Sequence, residues 1–154
     1  MMRAVEPWVE GPLAAFLDES AARLTLLMTS AGQVLAQHGF TRAFDVMSAA
    51  ALGAGIMAST DELARLMDAP PFRALAHQGV QHGLFLSGFD TPQGRWIGLV
   101  VFGPESSLGL VQLFFQRLVA DLAKQAPTEA PSNRVLGSDF EDELNASLRT
   151  LFGQ

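Results

Sequence analysis

Catalysis and metal binding need side chains that can ligate, attack or carry a proton, and this sequence offers few of them. It has three histidines, His38, His77 and His82, and no cysteine. The lack of cysteine removes thiol catalysis, disulfides and zinc–thiolate sites together. His77 and His82 stand five apart in "HQGVQH". On a strand-and-loop segment that spacing does not aim both rings at one ion, so no metal site is expected. Ser106 and Ser107 stand where a helical pattern begins, and capping accounts for a hydroxyl there without nucleophilic catalysis. Glu141, Asp142 and Glu143 fall on the first turn of a short C-terminal helical pattern, where the helix dipole favours acids. "ALGAGIM", residues 51–57, has glycines at a spacing found in dinucleotide sites. It lies inside a helical run rather than at a strand-to-helix turn, and no phosphate-cradling loop of the P-loop kind occurs. The chain reads as a protein without an active site of its own, and no cofactor is expected.

The elements that carry these residues come from one modest domain. A length of 154 residues with 49% hydrophobic and 17% charged residues suits a single globular core with a tail. No uncharged apolar run reaches the roughly 18 residues that span a bilayer, so no membrane insertion is expected. The opening "MMRAVEPWVEGP" lacks an apolar stretch with a small-residue cleavage site, which points to a cytoplasmic location. Net charge is −6, divided as −1 over residues 1–12, −2 over 13–126 and −3 over 127–154. No segment forms a basic patch, so binding to a phosphate backbone has no electrostatic footing and no nucleic acid partner is expected.

Pro12 suits a first turn and Leu13, Phe16 and Leu17 recur at helical spacing, which predicts a helix over 12–22. Residues 24–28 and 33–37 predict two hairpin strands, with Gly32 supplying the positive φ of a tight turn. The longest helix is expected over 44–67 and stops at Pro70-Pro71. Three strands follow at 74–78, 83–89 and 95–102, the last two joined by the loop "DTPQG". A helix capped by Ser106 then carries Val111, Phe114, Phe115, Leu118, Val119 and Leu122 on one stripe. After the Pro- and Ser-bearing linker comes a last short helix, with Ser138 and Glu141 as a capping box and Phe140, Leu144, Leu148, Leu151 and Phe152 on one face. Hairpins dominate, so the fold class expected is an α/β (α+β) sandwich around an antiparallel sheet of five strands. The domain boundaries expected are a leader at 1–11, a core at 12–125, a linker at 126–137 and a tail helix at 138–154.

Residues 46–58, "VMSAAALGAGIMA", carry no charge over thirteen positions and hold only small and apolar side chains with one serine. A helix that is apolar all round must be buried all round, and a helix lying on a sheet buries one side only. A second copy of the chain, related by a two-fold, is the expected second cover. Ala50, Ala51, Gly53, Ala54, Gly55 and Ala58 let another backbone come close. Each interior glycine costs about 1 kcal/mol against alanine, so two together point to a packing reason.

In order and spacing the chain resembles the Roadblock (dynein light chain) family of small dimeric GTPase co-regulators, and within it the bacterial MglB-like branch. The resemblance runs from about residue 12 to residue 125. It is carried by "LLMTSAGQVLAQHG", by "ELARLMDAPPFRALAHQG" and above all by "VVFGPESSLGLVQL", in which Ser107-Leu108-Gly109 starts the last core helix. The tail ending "LRTLF" is similar to the short tail helix of that branch. The resemblance implies a five-stranded antiparallel sheet sandwiched by helices, a profilin-like arrangement. It also implies two chains paired through their long helices, often with a continued sheet. The helix pair would form a platform for one small Ras-like (MglA-like) GTPase, in the setting of bacterial motility and cell polarity. Members of that branch activate the GTPase by reshaping its switch regions rather than by inserting a catalytic residue. The partner-binding residues expected are Ala50, Gly53, Ala54, Met57 and Ala58 of the long helix, with Phe140, Leu144, Leu148, Leu151 and Phe152 of the tail.

Arg65, Arg73, Arg95 and Arg117 bear on that mechanism, because an arginine supplied in trans accelerates GTP hydrolysis by roughly 10³–10⁵. None stands at a tip beside a Gly-rich hinge, and surface ion pairing is their expected role. Two other functions suit such a chain: a small-ligand sensing domain, or a dimeric scaffold without effect on nucleotide turnover. A sensor needs a cavity with a few inward polar groups, whereas Leu84, Leu86, Trp96, Ile97, Val100 and Val101 predict a filled core.

Overall fold

In the computed structural model, which describes residues 2–40 and 44–127, the chain runs β1 (Met2–Ala4), α1 (Pro7–Ser20), β2 (Leu24–Thr29), β3 (Val34–Gly39), α2 (Val46–Leu66), β4 (Ala74–Gln78), β5 (Gly83–Thr91), β6 (Gly94–Phe102) and α3 (Leu108–Gln125). The strands form one antiparallel sheet in the order β1-β3-β2-β6-β5-β4. A sheet covered on both faces needs apolar residues at successive positions rather than alternate ones, and the central strands supply them. Leu24, Leu26 and Met28 of β2, with Ile97, Leu99 and Val101 of β6, face α2. Leu27, Trp96, Val100 and Phe102 face the opposite way, against Leu13 and Phe16 of α1 and Val111, Phe115, Leu118 and Leu122 of α3. Phe115 meets Phe16, Phe85 and Phe89 edge-to-face, with centroids 5.9, 5.3 and 5.5 Å away. Gly98 makes room for that ring, because a Cβ there would overlap it.

The sandwich with helices on both faces is as expected, with one strand more than five. Residues 2–4, expected in a leader, pair with β3 in the register Met2↔His38, Arg3↔Gln37 and Ala4↔Ala36. Three residues are too few to show an alternating pattern. The helix expected from Pro12 starts at Pro7, with Pro12 inside it. The first-turn preference belongs to the earlier proline. The cap of α3 is Ser107, whose Oγ accepts from the Leu110 N–H at 3.2 Å. Ser106 instead donates its hydroxyl to the Ser20 carbonyl and ties α1 to the start of α3. The expected linker beyond residue 127 and the expected tail helix at 138–154 lie outside the described residues.

Candidate functional site

The helix α2 begins at Asp45, whose carboxylate accepts from the Ser48 N–H at 3.2 Å and the Ser48 hydroxyl at 2.7 Å. Those bonds, the hydroxyl first, hold the Asp45 carboxyl below its ordinary value. An anion at a helix N-terminus is also favoured by the macrodipole. The inner face is short-chained. Ala50, Gly53, Ala54, Met57 and Ala64 are buried on the sheet. Gly53 lets the helix settle deeply, since a Cβ there would stand 3.2 Å from the methyls of Leu86 and Leu99. Ala50, Ala51 and Ala54 take the β2–β3 turn, where Gly32 (φ +88°) would place a Cβ 3.4–3.5 Å from them.

The outer face of the same helix stays apolar and open. Met47 is 72% exposed, Leu52 68%, Leu63 57%, Leu66 77% and Met67 59%. At 100° per residue the outward residues divide into two flanks. Leu52, Ile56, Leu63 and Met67 make a bulky flank. Ala51, Gly55, Ala58 and Glu62 make a small one, and a Cβ at Gly55 would meet nothing within 4 Å. The small flank lies beside the β2–β3 turn, through Ala51. The bulky flank therefore points towards β5 and β4, the far end of the sheet.

That end is an open edge. The strand β4 pairs with β5 only, four of its five residues are exposed, and "ALAHQ" contains no charge or proline to blunt it. The other edge, β1, is three residues long and carries Arg3. Shortness and charge are the usual protections of an edge, and only one of the two edges has them. The open apolar helix flank thus faces the side of the sheet that ends in this unprotected strand.

Of the five helix positions expected to meet a partner, only Ala58 faces outward. Ala50, Gly53, Ala54 and Met57 belong to the core of this chain. Ala50, Ala51, Gly53 and Ala54 admit the protein's own sheet and β2–β3 turn as their close neighbour, while Gly55 and Ala58 stay open. The outward small flank, Ala51, Gly55 and Ala58, was legible in one signal. Glu62 and Arg65 mark the solvent side, and steps of four, seven and eleven back from Glu62 reach Ala58, Gly55 and Ala51. The tail positions Phe140, Leu144, Leu148, Leu151 and Phe152 lie outside the described residues.

The titratable residues are dispersed. His38 is half-buried on β3, and His77 and His82 line one cleft at the β4–β5 hairpin. Among the described residues no group of three or more His, Asp and Glu is placed to hold a metal ion. Arg65 pairs with Glu62 at 3.2 Å, Arg95 with Asp90 at 3.5 Å and Arg117 with Glu19 at 2.7 Å, while Arg73 is exposed just ahead of β4. Among the described residues Arg23 is the best-anchored cation. It donates to both Glu105 oxygens at 2.7 and 3.2 Å, to the Gln81 carbonyl at 3.3 Å and to His82 Nδ1 at 2.7 Å. Its hydrogen bond holds the Glu105 carboxyl below the usual value. Among the described residues no helix is long and apolar enough to cross a membrane.

No family model and no curated protein matches the sequence. Solved structures do. Myxococcus xanthus MglB superposes with a TM-score of 0.70 at 26% identity, over 78% of this chain and 95% of that one. The gliding protein MglB from Thermus thermophilus superposes at 0.67 with 30% identity, over 77% and 88%. A Roadblock/LC7 domain from Streptomyces avermitilis has the same fold, with a TM-score of 0.62 at 18% identity over 74% and 93%. The strand order, the single long helix on one face and these matches agree: the chain belongs to the Roadblock family, on its MglB-like branch.

Proposed function

We propose that this chain is a homodimeric regulator of a small Ras-like (MglA-like) GTPase in the cytoplasm. The observation that carries the reading is the open apolar face of α2, with five large hydrophobic residues more than half exposed. Contiguous exposed apolar surface of this kind marks an interaction site. In the pairing proposed, the bulky flanks of two α2 helices meet antiparallel about a two-fold centred between residues 57 and 58. That register sets Leu52 against Leu63 of the partner subunit and, by symmetry, the reverse. The unprotected β4 edges lie next to this contact and extend the sheet across it. The outward top and small flanks, with Gly55, Ala58, Ser59 and Glu62, form the platform for the GTPase.

Regulation on this reading is by binding. The platform holds the switch regions of the GTPase in the arrangement in which the GTPase's own groups hydrolyse GTP. Three of the four candidate arginines are already paired within the chain. The tail, with Phe140, Leu144, Leu148, Leu151 and Phe152, is proposed as a second contact to the GTPase. The test is capture of small GTPases from the native cell on the tagged full-length chain, followed by single-turnover hydrolysis. The reading expects faster hydrolysis by a captured GTPase. It also expects alanine at Arg65, Arg73, Arg95 or Arg117 to change the rate by less than about tenfold, against the 10³ or more of a true finger. Failure to capture any GTPase, or a thousand-fold loss from one arginine, refutes it.

A further inference from the structure

The cleft at the β4–β5 hairpin has the makings of a ligand site. It lies on the α2 side of the sheet and has a volume of about 370 Å³. Its apolar wall is Phe44, Leu84 and Val101, and its polar side chains are the imidazoles of His77 and His82. Small-molecule sites run from about 300 to 1,000 Å³ and combine an apolar lining with a few oriented polar groups. At about 30 Å³ per water-sized group the cleft takes roughly a dozen non-hydrogen atoms.

The polarity of one imidazole is fixed from behind. A guanidinium has donors only, so at 2.7 Å from Arg23 Nη1 the Nδ1 of His82 must accept. The ring proton then sits on Nε2. Arg23 is held in place by Glu105 and the Gln81 carbonyl, and its guanidinium lies over Gly103, where a Cβ would overlap it. His82 therefore offers an N–H donor beside an apolar cleft that no acidic side chain lines. We propose that this cleft binds an apolar carboxylic acid of about a dozen heavy atoms. Its body packs on Phe44, Leu84 and Val101, and its carboxylate accepts from His82 Nε2–H. A charged acceptor makes the stronger bond to such a donor, which selects the acid over a neutral alcohol of equal length.

The test is a titration of the isotope-labelled full-length chain with decanoate, followed by the ring signals of His82 and the methyl signals of Leu84 and Val101. The proposal expects saturable shifts at those positions and not at Leu63 or Leu66. It expects at least tenfold weaker binding of decanol, at least tenfold weaker binding of decanoate to His82→Phe, and none to Leu84→Trp. The decanol comparison uses the unaltered chain and so stands even if a variant misfolds. Absence of saturable shifts up to millimolar decanoate, shifts centred on the outer face of α2, or equal binding of decanol overturns it.

Discussion

Two glycines two positions apart in α2 face opposite ways, and their substitutions should behave oppositely. At Gly53 a Cβ would stand 3.2 Å from Leu86 and Leu99 methyls. Alanine gains up to about 1 kcal/mol of helix propensity there, offset by pushing two side-chain ends aside by a few tenths of an ångström. Gly53→Ala should be close to neutral, and Gly53→Leu should cost about 1–3 kcal/mol by overpacking. At Gly55 a Cβ meets nothing within 4 Å. Gly55→Ala and Gly55→Leu should therefore both stabilise the folded chain by roughly 0.5–1 kcal/mol, raising the melting temperature by about 1–4 °C. If Gly55 lies under the GTPase, the leucine removes a close backbone approach and should weaken that binding at least tenfold, which is about 1.4 kcal/mol. Urea denaturation reads the first effect, and titration calorimetry against the captured GTPase reads the second. A Gly55→Leu chain that folds, gains stability and binds the GTPase with unchanged affinity refutes the platform reasoning.

Gly98→Ala should destabilise by about 1–3 kcal/mol, because its Cβ overlaps the Phe115 ring that Phe16, Phe85 and Phe89 hem in, and Phe115→Leu in the same chain should restore part of the loss in denaturant melts. The Glu105 carboxyl is held below its ordinary value of 4.5 chiefly by the Arg23 hydrogen bond, so its contribution is full above that value and is lost as pH falls through the lower folded value. Melting temperatures of the native chain should accordingly fall more steeply below pH 4.5 than those of Glu105→Gln, and parallel curves would contradict the pairing. Truncation after residue 126 should leave the core's melting temperature nearly unchanged while altering affinity for the GTP-bound GTPase, and a large fall in melting temperature with unaltered binding would make the tail a structural element.

Hairpin strands and amphipathic helices were the legible part of this fold. The strand at 74–78 and the end of β6 at Phe102 stand where the pattern put them, because turn residues and apolar runs are local signals. The strand β1 was not legible, since three residues carry no period and their pairing with β3 is a long-range event. Pro12 misled about the start of α1 because a proline signals a first turn equally well at position 7. The orientation of α2 was the costly ambiguity. A run of alanine and glycine has no azimuth of its own, so Gly53 and Ala54 looked as exposed as Gly55 and Ala58. Packing against Leu86, Leu99 and the Gly32 turn separates them, and within the sequence only the helical period counted back from Glu62 does so. The Arg23–Glu105–His82 cluster joins residues 59 and 82 positions apart, which no spacing rule would have linked.

The central claim is that the bulky flank of α2 joins two copies of the chain, and sedimentation equilibrium tests it most directly. At tens of micromolar the native chain should sediment with twice its 16.5 kDa mass, and the Leu52→Glu/Leu63→Glu chain, altered only at exposed positions, should sediment folded at 16.5 kDa. A native chain that remains a monomer, or a doubly substituted chain that remains a dimer, contradicts the account.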